Sequence, residues 1–215
     1  VSQVKALLLT VNVLAVLWPA LLLYHIVDNA GGVRAIANAL QQMIPEPGWL
    51  LVVLAWMLSP LMENLAGFGL PIAIVAPMLI LLGVIPVRAV AAVAVGHSWA
   101  VSLGGMALAL RTMTDITGLS ETEVFPFAAI LLGVCVLLTG LASAWLLNQL
   151  HFWKRIVLLS LIVALTQFLV GYFVTIPLSS FSAAIVGVLA GMLLGMRPPG
   201  EKIRAEMTPQ LQGGL

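Results

Sequence analysis

The sequence predicts an all-α, polytopic integral membrane protein with a re-entrant helical hairpin and a broken transmembrane helix. Three observations predict it. Hydrophobic residues make up 62% of the 215 positions and only 8% carry charge, against about 25% in a soluble domain. A chain this oily has too little polar surface to coat itself in water. Several apolar runs approach the roughly 20 residues needed to cross a core about 30 Å thick. Two of those runs are interrupted by glycines and polar side chains, and backbone broken at membrane depth is tolerated only where it is buried in protein or lines a cavity.

The first apolar run, Ala6 to Val27, is long enough to cross and is stopped by Asp28-Asn29-Ala30-Gly31-Gly32. From Val33 to Ile44 the apolar residues Val33, Ile36, Ala37, Leu40, Met43 and Ile44 recur at helical spacing. Arg34, Asn38, Gln41 and Gln42 fill the other face, as in an amphipathic helix lying along the interface. Pro45-Glu46-Pro47-Gly48 ends it. The next run, Trp49 to Ile85, is far longer than one crossing and is interrupted by Met62-Glu63-Asn64-Leu65-Ala66-Gly67-Phe68-Gly69-Leu70-Pro71. Gly67, Gly69 and Pro71 supply the break. Each arm reads as slightly short for a crossing, which favours a hairpin with its tip at Glu63 to Gly69 over two ordinary spans.

Pro86-Val87-Arg88 turns the chain into a run from Ala89 to Leu110, interrupted at Gly96-His97-Ser98-Trp99 and at Gly104-Gly105. A polar loop is expected from Arg111 to Glu123. Three plainer spans follow: Phe125 to Leu147, Ile156 to Val174, and about Phe181 to Met196. The last carries Gly187, Gly191 and Gly195, a ridge that lets helix backbones approach closely. Residues 1–196 thus read as one transmembrane domain, and 197–215 as a polar, flexible tail. Val1 stands where an initiator methionine belongs and no signal peptide is visible, so the sequence reads as a piece of a longer chain.

If the hairpin returns to its own side, one face collects Arg34, Arg88, Lys154, Arg155, Arg197, Lys202 and Arg204, and the other only Lys5 and Arg111. The positive-inside rule puts the rich face in the cytoplasm, making the chain a multi-pass protein of the cytoplasmic (inner) membrane. Treating Trp49 to Ile85 as a single crossing leaves a similar bias, so segment length, not charge, argues for the hairpin. A net charge of +1 leaves no footprint for nucleic acid, and the single cysteine, Cys135, lies in an apolar run and reads as packing.

The two breaks are the candidate site. Broken helices leave unpaired N–H groups and positive dipole ends where an anionic group docks, and glycines at 67, 69, 104 and 105 let a ligand approach the backbone. A small carboxylate fits without an intramembrane arginine, and none of the nine lysines and arginines falls in the centre of a run. Glu63 reads as a protonatable carboxyl that couples proton movement to transport, or as a tip carboxyl satisfied by water or freed backbone. Asn64 reads as a donor to substrate or to the broken backbone, and Phe68 as a packing wedge or a ligand contact. His97 can exchange a proton near neutral pH or serve structurally. Ser98 and Ser102 offer hydroxyls to a ligand or to lost backbone bonds.

His25, Asp28 and His151 sit at boundaries and read as interfacial. Trp49, Trp56, Trp99, Trp145 and Trp153 form no cofactor-like cluster, and those near run ends suit the interface. Three histidines so far apart match no metal spacing, and no nucleophile elbow, phosphate loop or haem signature is present. No metal, cofactor or enzyme activity is therefore expected.

The segment Pro60 to Ile74 resembles the signature of the L-lactate permease family, in which a glutamate precedes small residues, Gly-Phe-Gly, a small residue and Pro-Val-Ala. Glu63, Ala66, Gly67, Phe68, Gly69, Pro71 and Ala73 match in place, while Asn64, Leu65 and Leu70 depart. Leu82-Gly83 and Val95 to Gly105 are similar to that family's next element, commonly Ala-Asn-Thr-Ala-Pro-Val-Ala-Phe-Gly. His97-Ser98-Trp99 stands where Asn-Thr-Ala is usual, which bears on substrate choice. The resemblance implies proton-coupled uptake (symport) of L-lactate, glycolate or a similar 2-hydroxy monocarboxylate. It also implies an often dimeric architecture whose substrate domain moves like an elevator. On that reading Asn64, Gly67, Phe68, Gly69, His97, Ser98, Ser102 and Gly104 bind substrate, and Glu63 and His97 couple the proton. The partners are a small carboxylate, protons and membrane lipids. Members of the family are considerably longer and no second hairpin signature occurs here, so the chain reads as a partial permease. A dicarboxylate or inorganic-anion carrier, or a non-transporting membrane subunit, are the alternative readings.

Overall fold

The computed structural model describes residues 44–66 and 70–196, together with 11, 18, 22, 25–26, 29–32 and 35. The expected first span, most of the interfacial helix, the tip residues Gly67, Phe68 and Gly69, and the tail from Arg197 lie outside the described residues. At the predicted stop between them, Ala30 and Gly31 form a turn, with Gly31 at φ +76°.

Every described element is helical: α1 (Pro47–Val53), a π turn (Leu54–Leu58), α2 (Ser59–Ala66), α3 (Leu70–Leu81), α4 (Pro86–His97), α5 (Gly104–Thr117), α6 (Glu121–Leu146), α7 (Trp153–Phe173) and α8 (Ser179–Gly195). Leu150–Phe152 and Ile176–Leu178 add short 3₁₀ turns ahead of α7 and α8. Three segments, Glu121–Leu146, Leu150–Phe173 and Ile176–Gly195, are long and apolar enough to cross a membrane. Their outward faces are greasy: Phe127, Leu131, Leu138, Leu161 and Leu165 are all exposed. A row of that kind belongs in hydrocarbon, and the chain is an integral membrane protein.

The run from Trp49 to Ile85 folds as a helical hairpin with unequal arms. Pro47 starts the first arm at a position where its missing N–H costs nothing. That arm then stays helical through α1, the π turn and α2, about 30 Å at 1.5 Å per residue. It is therefore not short, contrary to the expectation from the sequence, whereas α3 spans only about 18 Å. The reason lies at Pro60. Proline removes one backbone N–H and crowds the carbonyl four residues earlier, that of Trp56. The π turn widens the helix there, and the freed Trp56 carbonyl accepts from the indole N–H of Trp99 at 3.5 Å. The helix is re-satisfied from outside instead of broken. After α3, Gly83 takes φ +92° and closes a Schellman-type cap, Val84 N–H donating to Leu79 and Gly83 N–H to Ile80. Leu82 to Ile85 then line one cavity together with Leu51, so the second arm comes back to where the first began.

The second broken segment is α4, a 3₁₀ turn (Ser98–Ala100) and α5. Its continuation corrects the expected loop: Arg111 to Thr117 is helix. Threonine hydroxyls there bond back along the helix, Thr112 to Leu108 and Thr117 to Met113. Ser120 and Glu123 form a reciprocal capping box that starts α6.

The first arm packs antiparallel to α8 in a register set by small residues. A methyl on Gly195 would run into Trp49, one on Gly191 into Val53, and one on Gly187 into Met57. Trp49, Trp56 and Trp99 are fully buried, and Trp49 and Trp56 donate to the carbonyls of Gly191 (2.8 Å) and Val136 (3.1 Å). Trp49 is thus a core pin, although its place at a run end suggests the interface; Trp145 and Trp153 are exposed. Cys135 is half-buried against the same core.

One end of the bundle carries Arg88, Lys154 and Arg155. Arg155 pairs with Glu46 and lies over the rings of Trp49 and Phe152. At the other end Arg111 pairs with Glu121 at 3.4 Å beside a cavity of about 620 Å³.

Candidate functional site

Glu63 and Asn64 lie on the last turns of α2, which runs to Ala66. Glu63 is 9% exposed, and its Oε2 is buried without a hydrogen-bond partner. Unsatisfied buried polar atoms are few in native structures and call for an explanation. The Asn64 side-chain NH₂ donates to the Pro60 carbonyl at 2.8 Å and to Ser180 Oγ at 3.1 Å. Ser180 is fully buried in the first turn of α8. Glu63 and Asn64 therefore sit level with the start of α8, toward the end of the bundle that carries Arg111.

The second break comes to the same place. Gly104 is the first residue of α5, and a methyl built on it would lie 3.7 Å from Glu63 Cγ and 3.8 Å from Asn64 Oδ1. Among the described residues, and beyond its own neighbouring backbone, nothing else is within 4 Å, so the glycine leaves room for a methyl group against the Glu63 and Asn64 side chains. Three residues on, Ala107 is buried with φ +61°, a conformation costly for a residue with a Cβ. Strain of this kind collects at functional sites.

His97 ends α4, half-buried, with Nδ1 2.7 Å from the Val93 carbonyl. It lies within range of a charge–charge interaction with Glu63. Ser98 is exposed and spends its hydroxyl on the Val95 carbonyl at 2.7 Å, closing its own helix end. Ser102 is exposed in the turn before α5. The structure thus brings Glu63, Asn64 and Gly104 together, sets His97 within charge range of Glu63, and leaves Ser98 and Ser102 exposed. Gly67, Phe68 and Gly69 lie outside the described residues. Ser180 is the participant that sequence reasoning misses: serines at the mouth of an apolar run read as boundary residues, and only the fold shows that Asn64 reaches one. Among the described residues, no lysine or arginine is part of this cluster.

The family model for L-lactate permease matches residues 1–202. An L-lactate permease of Streptococcus iniae is 29% identical over 104 residues, covering 48% of this chain and 22% of that protein. An L-lactate permease of Escherichia coli (strain K12) is 23% identical over 187 residues, 80% of this chain and 33% of that protein. A glycolate permease of the same strain is 22% identical over 188 residues, 81% of this chain and 33% of that protein. No solved structure matches. The chain spans a third or less of the length of these curated relatives. A family match over nearly the whole chain, on an all-helical membrane scaffold whose signature segments meet at one cluster, makes this chain a member of the L-lactate permease family.

Proposed function

We propose that this chain supplies half of the substrate site of a secondary transporter that takes up L-lactate, glycolate or a similar 2-hydroxy monocarboxylate together with a proton. The observation that carries this reading is the meeting of the two broken segments, Gly104 facing the Glu63 and Asn64 side chains with room for a methyl group between them. Asn64 supplies neutral hydrogen-bond donors for a carboxylate or hydroxyl oxygen. The half-buried site has a low local dielectric, so an anion beside an ionised Glu63 meets strong repulsion. Anion and proton are therefore favoured together, which is the physical basis of symport. His97, within charge range of Glu63, is the partner through which the proton enters or leaves. Gly67, Phe68 and Gly69 complete the tip by analogy with the family signature, with Ser98 and Ser102 at the entrance. The positive end, with Arg88, Lys154 and Arg155, faces the cytoplasm. The carrier is multi-pass in the cytoplasmic membrane.

The full chain in proteoliposomes tests this by counterflow. Labelled L-lactate should accumulate transiently in vesicles preloaded with unlabelled L-lactate or glycolate, and not in vesicles preloaded with succinate or sulfate. Equal or better counterflow with succinate or sulfate would replace the reading with a dicarboxylate or inorganic-anion carrier. No counterflow with any of the four would favour a non-transporting subunit.

A further inference from the structure

Gln167 lies in the middle of α7 with no exposed surface, and neither its Oε1 nor its Nε2 has a hydrogen-bond partner. Among the described residues, the one other buried side-chain atom in that condition is Glu63 Oε2. A carboxamide held without partners in an apolar interior is costly, and a leucine would fill the same space at no such cost.

Its position follows from the packing register. A methyl on Gly191 would meet both Val53 of the first arm and Leu159 of α7, and one on Gly187 both Met57 and Val163. Each step moves four residues along every helix. The next step brings Gln167, on the same face of α7 as Leu159 and Val163, opposite Ala183 of α8, with Leu61 of the first arm at that level. One short step further, the first arm and α8 meet again through Asn64 and Ser180 at 3.1 Å. That level lies about 4.5 Å further along the axis, less than one helical turn from Gln167. Ala183 is fully buried and adds no bulk between them.

We infer that Gln167 is a specificity-determining residue of the Glu63–Asn64 site, its carboxamide joining Asn64 and Ser180 in a neutral cradle for the 2-hydroxyl and carboxylate of a small hydroxy acid. This rests on the transport reading above and extends it to a helix outside the two signature segments. Neutral donors suit such a ligand because they hold an anion without bringing in a buried cation. A site built to bond a hydroxyl also rejects the analogue lacking it.

Uptake of L-lactate by the full chain tests this, with propionate, which lacks the 2-hydroxyl, as competitor. Gln167→Met preserves shape and removes the amide. The expected result is a KM for L-lactate about tenfold higher, the worth of one hydrogen bond, with Vmax within about twofold. The preference for lactate over propionate should disappear and the melting temperature should hold or rise, since two unpartnered atoms are gone. Gln167→Asn, one methylene shorter, should fall between. An unchanged KM and preference, whether the melting temperature rises or falls, assigns Gln167 to packing and overturns the inference. If the unaltered protein takes up no monocarboxylate, the transport reading falls first and this inference with it.

Discussion

Glu63→Gln is expected to leave the protein in the membrane at its normal level and to reduce uphill, proton-driven accumulation of L-lactate to background. Glutamine has nearly the shape of glutamic acid and keeps a hydrogen-bonding end, so α2 and its contacts to Gly104 and α8 persist. It cannot release a proton. A site fixed in the neutral state still accepts an anion, so lactate–lactate exchange should survive while coupled net uptake fails. Loss of both modes at normal protein level would make Glu63 a binding group alone. Full retention of lactate-driven proton movement in proteoliposomes would remove it from the coupling path.

Gly96→Ala is expected to have the largest effect on stability of any single methyl addition in the hairpin region. Gly96 of α4 packs directly on the π turn, where an added Cβ would overlap the Ala55 carbonyl and sit 3.1 Å from Trp56 Cα. These are backbone atoms, with no rotamer to give way. Overpacking commonly costs about 1–3 kcal/mol, and a clash of this kind lies at the top of that range. The same displacement pulls Trp99 away from the Trp56 carbonyl that Pro60 leaves unpaired. Purified Gly96→Ala protein should show a several-fold lower yield of monodisperse material and a lower melting temperature. Wild-type yield and melting temperature would mean that α4 slides freely on the hairpin.

Both effects trace to features with very different visibility in the sequence. The three plain spans are legible because apolar length alone specifies them, and α6, α7 and α8 fall close to their predicted limits. The two breaks are legible because glycine, proline and an ionisable residue stand out against an oily background. The continuity of the first arm is not. It depends on a hydrogen bond from Trp99, 43 residues away, that satisfies the carbonyl freed by Pro60, and no local pattern announces such a partner. The helix from Arg111 to Thr117 is hidden for a related reason, since threonines that bond back along their own helix have the composition of a loop. Within the site, Glu63, Asn64, His97 and Gly104 come from composition and spacing, whereas Ser180 requires the antiparallel register of α8 on the first arm. Gln167 carries a signal of the same kind as Glu63, a polar group within an apolar run. It goes unmarked because no glycine or proline breaks the helix around it.

Whether the hairpin tip and the second break enclose one carboxylate site is decided by thiol labelling at the space between them. Cys135→Ala removes the only native thiol. Gly104→Cys then places a new one where a Cβ makes only ordinary contacts, 3.7 Å from Glu63 and 3.8 Å from Asn64. L-Lactate should slow the reaction of this cysteine with a small water-soluble thiol reagent, at concentrations matching its half-saturation for uptake, while sulfate at equal ionic strength should not. A labelling rate indifferent to L-lactate would mean that the two breaks share no ligand.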